Sequence, residues 1–197
     1  MREMIKMVVV LTILCAFSGG LLAAVRNGTK DKIEYQQLKF VKGPAIREIL
    51  KGSSNDPIVD RFKLKVDDAE KSFFVGIFDG NADTVAFENF GKGFGGDIGV
   101  MLGVNVKNDK IVAVGVTTHS ETPGVGSKAQ TDLKFAAQFA GLLLNEDFKV
   151  KTDGGQVDAI SGATVSSRGV CMAISEAGKI YKQLKPRLIN KLSEFNK

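Results

Sequence analysis

Three short segments hold the residues whose types and spacing could do chemistry. The first is Asp158-Ala159-Ile160-Ser161-Gly162-Ala163-Thr164-Val165-Ser166-Ser167. Small residues at 161–164 allow a tight turn, and Thr164 and the serines can cap the start of a following helix. A helix start offers free N–H groups and positive potential, which suit a phosphate. An ordinary capped helix would look the same. The second segment is His119-Ser120-Glu121-Thr122-Pro123-Gly124-Val125-Gly126. Thr-Pro-Gly forces a sharp turn, so the segment reads either as a solvated loop at a strand end or as a loop that touches a ligand. The third, Gly91-Lys92-Gly93-Phe94-Gly95-Gly96, matches GxGxxG in form. A dinucleotide fingerprint must open a helix, and here a strand follows. The glycines therefore read as a turn that lets backbone approach something closely.

Composition narrows the field. The chain has 197 residues, 44% hydrophobic and 25% charged, enough for one domain with a real core plus an appendage. The net charge is +5; setting aside the first 25 residues, whose Arg2, Lys6 and Glu3 contribute +1, leaves +4. The basic residues alternate with acids and form no dense block, which argues against a nucleic-acid partner. With two cysteines, Cys15 and Cys171, and one histidine, the chain cannot by itself hold a thiolate-bound cluster or a multi-histidine metal site.

Residues 7–25, MVVVLTILCAFSGGLLAAV, carry no charge and just span a hydrocarbon core as a helix. The run has no polar face, which disfavours a buried helix. It is long for a signal peptide, and Leu22-Ala23-Ala24 is a weak cleavage exit. Residues 1–27 are therefore expected to form a retained membrane anchor, followed by a domain over 28–197. Flanking lysines and arginines do not set its orientation.

Helical spacing recurs over residues 29–51, divided by Gly43-Pro44. Strands are expected at 61–66, 72–78, 84–90, 98–107 and 110–119, the last two joined by a turn at Asn108-Asp109. A helix is expected at 128–144 with Leu133, Ala136, Ala137, Ala140 and Leu144 on one side. The clearest helix follows Thr164, with Val170, Ala173, Ile174, Ala177, Ile180, Tyr181 and Leu184 at three- and four-residue spacing. Strands in the middle and helices at the ends predict an α+β fold, a mostly antiparallel sheet with flanking helices.

The run from Asp158 to Thr164 resembles the Asp-x-x-(Ser/Thr)-Gly-Ala-Thr signature of the FMN-binding subunits RnfG and NqrC of ion-pumping, membrane-bound oxidoreductases. Residues 119–126 resemble their HxETPGxG loop, with Val125 where leucine is common, and 93–96 their glycine-rich turn. The match covers essentially the whole chain, and its short length and the wording KTDGGQVDAISGATVSS are more similar to RnfG. The resemblance implies FMN moved from FAD by a flavin transferase onto Thr164 as a phosphoester. It also implies a turn formed by Ser161, Gly162 and Ala163, and a ring slot at Thr122 and Val125 with Glu121 beside it and Lys151 within reach. It implies other membrane subunits of an Rnf-type complex as partners, and a single-pass protein of the cytoplasmic membrane with its flavin domain on the extracytoplasmic side. An anchored redox sensor, an NqrC-like subunit and a structural protein without cofactor are the competing readings.

Overall fold

The computed structural model describes residues 1–66, 69–144 and 146–196, the side chains of Asp31 and Glu34 excepted. The chain divides into two compact units, Met1–Phe40 and Val41–Lys197. The first unit is built on helix α1, Arg2–Gln36. Its stretch Arg2–Lys30 is long and apolar enough to cross a membrane. Twenty-nine residues rise about 43 Å along a helix, more than the ~30 Å of hydrocarbon. A π-helical turn, Gln37–Lys42, then leads to α2, Gly43–Ile49, with Pro44 in its first turn. Proline is tolerated there because first-turn N–H groups have no helical acceptor.

Five strands follow: β1 Arg61–Val66, β2 Ala69–Phe78, β3 Asn81–Lys92, β4 Asp97–Asn105 and β5 Lys110–Thr118. They pair in sequence order, every neighbour antiparallel. This is the α+β, antiparallel architecture expected from the order of the periodicities. One face carries Phe73, Val75, Val85, Phe87, Val100 and Leu102 into the main core with the last helix, α5, Thr164–Ser193. Phe73 and Phe87, opposite each other in register, bring their rings to 5.1 Å. On the other face Ile49 of α2 lies against Gly103. Strand β4, covered on both sides, is apolar almost throughout, as a doubly buried strand must be. That same face holds a polar knot in which Glu88 accepts from Lys42 at 2.6 Å and from Thr117. Lys71 Nζ donates to the Glu88 carbonyl at 2.7 Å. Burial pushes the Lys71 ammonium below its usual range, against the opposing pull of Glu88.

Helix α5 buries the periodic residues Val170, Ala173, Ile174, Ala177, Tyr181 and Leu184, and continues through Leu188 and Leu192. Each large side chain so buried contributes about 1.5–3 kcal/mol. Pro186 sits inside this helix on an exposed turn, where water can serve the carbonyl that loses its donor.

The helix expected at 128–144 is broken. Two short pieces, α3 Lys128–Thr131 and α4 Leu133–Ala137, flank Asp132, whose backbone is extended at ψ 97°. The Asp132 carboxylate accepts from the Lys134 and Phe135 N–H groups, so it starts a new helix instead of continuing the old one. Beyond Ala137 the chain turns back along β5, bonded from Gly141 N to Ile111 O and from Ile111 N to Leu142 O. The buried positions are Ala129, Phe135, Phe139 and Leu144, while Leu133 is 81% exposed.

Candidate flavin-bearing site

The three segments singled out in the sequence converge at the start of α5. The helix begins at Thr164, and its N-cap is Ala163, which supplies no side-chain bond. Thr164 and the serines therefore do not cap the helix as expected: they lie inside its first turn. Their hydroxyls have separate tasks. Ser167 Oγ accepts from the Ile160 N–H and donates to the Ala163 carbonyl, both at 3.0 Å, and so folds the preceding turn onto the helix. Ser166 Oγ donates to the Glu121 carboxylate. Both serines are buried. Thr164 is half-buried, and among the described residues its hydroxyl makes no hydrogen bond. It is the free nucleophile of the three, beside first-turn N–H groups that no side chain caps. That combination fits a phosphoester.

The turn before the helix is shaped by Gly162, whose φ of +77° lies in the left-handed region. Gln138 holds the start of the motif from outside. Its amide donates to the Asp158 carbonyl at 3.1 Å and accepts from the Asp158 N–H at 2.7 Å. Lys151, from the 3₁₀ turn Lys151–Asp153, meets the Asp158 carboxylate at 2.7 Å. From the same turn Asp153 takes both arms of Arg168 at 2.6 Å, and this guanidinium holds the Asp153 carboxyl below its usual range. Arg168 stands one helical turn beyond Thr164. These two exposed pairs fasten the 151–153 turn to both ends of the motif.

The loop after β5 contains a tight turn with a bond from Val125 N to Thr122 O at 3.2 Å and Gly124 at φ +74°. Proline at the second place and a left-handed glycine at the third are the marks of a type II turn. Thr122 and Val125 are exposed, Val125 at 43%. A Cβ built on Gly162 would lie 3.9 Å from Val125 Cγ1, so this loop borders the motif. His119 Nδ1 accepts the Glu121 N–H at 3.3 Å, which leaves Nε2 to donate to Gln130. The glycine segment is a close-approach turn: a Cβ on Gly95 would come within 2.0 Å of the Ser120 carbonyl. A cleft of about 380 Å³ flanks the motif on the α4 side, lined by Phe135, Gln138, Asp158, Ala159, Ile160 and Ser161 among others. Cys171 is no rival nucleophile, because burial pushes its thiol up to about 12.

Ser161, Gly162 and Ala163 thus form the turn, Thr164 opens the helix, and Thr122 and Val125 lie beside it. Lys151 contacts Asp158, at the far end of the motif. Gln138, Asp153, Arg168 and the inward serines were not anticipated. Arg168 was legible as the residue one turn after Thr164. The Gln138 clamp joins positions 20 residues apart and has no local signal.

Residues 93–179, which contain the loop positions Glu121, Thr122 and Val125 and the whole motif, match the FMN-binding domain family. The fold is also that of the crystal structure of Shewanella oneidensis NqrC, with a TM-score of 0.53, 24% identity and coverage of 71% of this chain and 72% of that one. The RnfG subunit of the ion-translocating oxidoreductase complex of Methanosarcina acetivorans is 32% identical, over 89% of this chain and 93% of its own. The Vibrio cholerae subunit of the same name is 27% identical, over 92% and 91%. This chain belongs to the RnfG family of ion-translocating oxidoreductase subunits.

Proposed function

We propose that this chain is an electron-carrying subunit of a membrane-bound, ion-translocating oxidoreductase, and that it holds FMN through a phosphoester to Thr164. The observation that carries the reading is the division of labour at the start of α5. Ser166 and Ser167 are buried and committed to other bonds, while the Thr164 hydroxyl is accessible at an uncapped helix start. Bound FMN would supply the redox chemistry. Thr164 would tether it, and nearby N–H groups would stabilise the phosphodiester. The Gly162 turn, between Ser161 and Ala163, would keep the tether clear of the backbone. Thr122 and Val125 would offer the ring a partly apolar wall with Glu121 beside it, and Lys151 would stand at the edge of the site. Covalent attachment suits a carrier, since the flavin cannot be lost between partners.

In this reading residues 7–25 anchor the chain once in the cytoplasmic membrane, with the boundary between anchor and domain at 27/28. The flavin domain faces the extracytoplasmic side, where a flavin transferase loads it, and the partners are the other membrane subunits of an Rnf-type complex. The test is purification of the tagged full chain from its native membranes. The reading expects other membrane subunits to co-purify, a mature N-terminus ahead of residue 7, and yellow colour that stays with the acid-precipitated chain. A loaded chain that purifies alone would favour an anchored redox sensor. A start near residue 25 would make the segment a cleaved signal.

A further inference from the structure

Glu121 stands out among the carboxylates of the chain. It is 5% exposed, although its neighbour Thr122 and nearby Val125 lie at the surface. One oxygen accepts the Gly95 N–H at 2.8 Å. The other accepts the hydroxyl of Ser166, itself 2% exposed and two residues past Thr164. The chain has been fitted around this group. A Cβ on Gly126 would come within 2.8 Å of Glu121 Oε2 and of Ser166 Oγ, and one on Gly93 within 2.5 Å of Oε1. A buried carboxylate is kept only where donors meet it, and here they come from two other segments. The glycine turn, the 119–126 loop and the first turn of α5 share no regular secondary-structure pairing at this point.

We propose that Glu121 is a positioning residue: its carboxylate fastens the loop bearing Thr122 and Val125 to the glycine turn at Gly95 and to the flavin-bearing helix at Ser166. It sets the place of the ring slot relative to Thr164 without touching the flavin. The role of the slot rests on the function proposed above; the fastening itself does not.

The two parts separate by experiment. Gln at 121 has the same shape, and its carbonyl can accept from Gly95 while its amide donates to Ser166 Oγ, so Glu121→Gln keeps both ties and removes the charge. Glu121→Ala breaks both ties, and the milder Ser166→Ala breaks the one to the helix. In chains that also carry Thr164→Ala, and so bear no covalent flavin, the tie-breaking variants should raise amide exchange at 93–96 and 119–126. The rise should be about fivefold or more, the equivalent of one ordinary hydrogen bond. Glu121→Gln should match its parent. In flavin-loaded full chains the tie-breaking variants should lose most of the visible circular dichroism of the ring with flavin mass retained, while Glu121→Gln keeps the signal. Wild-type exchange in Ser166→Ala and Glu121→Ala would overturn the fastening. A lost ring signal in Glu121→Gln, with both ties kept, would show that the charge itself seats the flavin, which would overturn the positioning role. Absence of covalent flavin from the wild type would instead count against Thr164, and the exchange comparison would stand apart from it.

Discussion

Replacing Gly162 by alanine perturbs the site through backbone conformation alone. An added Cβ would have as its nearest neighbour Val125 Cγ1 at 3.9 Å, an ordinary contact, so there is room for it. The obstacle is φ of +77°, where an L side chain crowds the following carbonyl at a cost of about 1–2 kcal/mol. Alanine also stiffens the unfolded chain, which returns about 0.4–1 kcal/mol in other settings. The net expectation is a loss of about 1 kcal/mol, or roughly 2–4 °C in Tm for a unit of this size. Asparagine visits the left-handed region more readily than alanine, so Gly162→Asn should fall between the two. Urea unfolding of the detergent-solubilised full chain, followed by far-UV circular dichroism, measures the difference. Because the turn presents Thr164, the flavin-loaded fraction after co-expression with a flavin transferase should fall in the same order, glycine above asparagine above alanine. Equal stability of the alanine and glycine chains, or asparagine below alanine, would show that the left-handed backbone at Gly162 carries no such cost.

Two further perturbations probe the ring slot and the β4–β5 turn. Val125→Asp would place a charge beside the ring slot; at about 6 Å and an effective dielectric near 40 it disfavours an anionic reduced flavin by about 1.4 kcal/mol, or roughly 60 mV for one electron. Redox titration should therefore show a lower potential with the Thr164-linked mass unchanged, and an unchanged potential and spectrum would place the ring elsewhere. Asp109, in the β4–β5 turn, accepts from Lys185 at 2.6 and 2.7 Å and from Tyr181 at 2.5 Å. Burial pushes its carboxyl up, but these hydrogen bonds and the lysine charge together hold it below its ordinary value. Its stabilisation is thus fully present above the ordinary carboxylate range and is lost as pH falls through the lowered value. Asp109→Asn should destabilise by about 1 kcal/mol at neutral pH, partial exposure keeping the figure modest. The gap to wild type should close below about pH 4 in acid-unfolding titrations.

Much of this architecture was legible in the sequence because it follows local rules. The short β-branched and aromatic runs of the strands, the three- and four-residue spacing from Val170 to Leu184 and the Thr-Pro-Gly turn each identify an element from its own residues. The parts that were not legible depend on partners distant in sequence or on one residue overriding a pattern. Asp132 interrupts an acceptable helical spacing because its carboxylate bonds to the next N–H groups, and pairing with β5 then carries the chain away. The two serines after Thr164 have cap-forming chemistry, but Glu121, 45 residues earlier, engages one of them. Glu121 itself reads as a solvated strand-end residue until the fold brings Gly95 and Ser166 around it. The motif was visible; the reason its threonine is the free hydroxyl was not.

Intact mass spectrometry of the full chain co-expressed with a flavin transferase, alongside Thr164→Ala, decides whether the bond at Thr164 forms. The wild type should gain one FMN less one water, located by peptide mapping within residues 161–168, and the mutant should gain nothing. A flavin that remains covalently attached in Thr164→Ala, or that maps to Ser161, would contradict it.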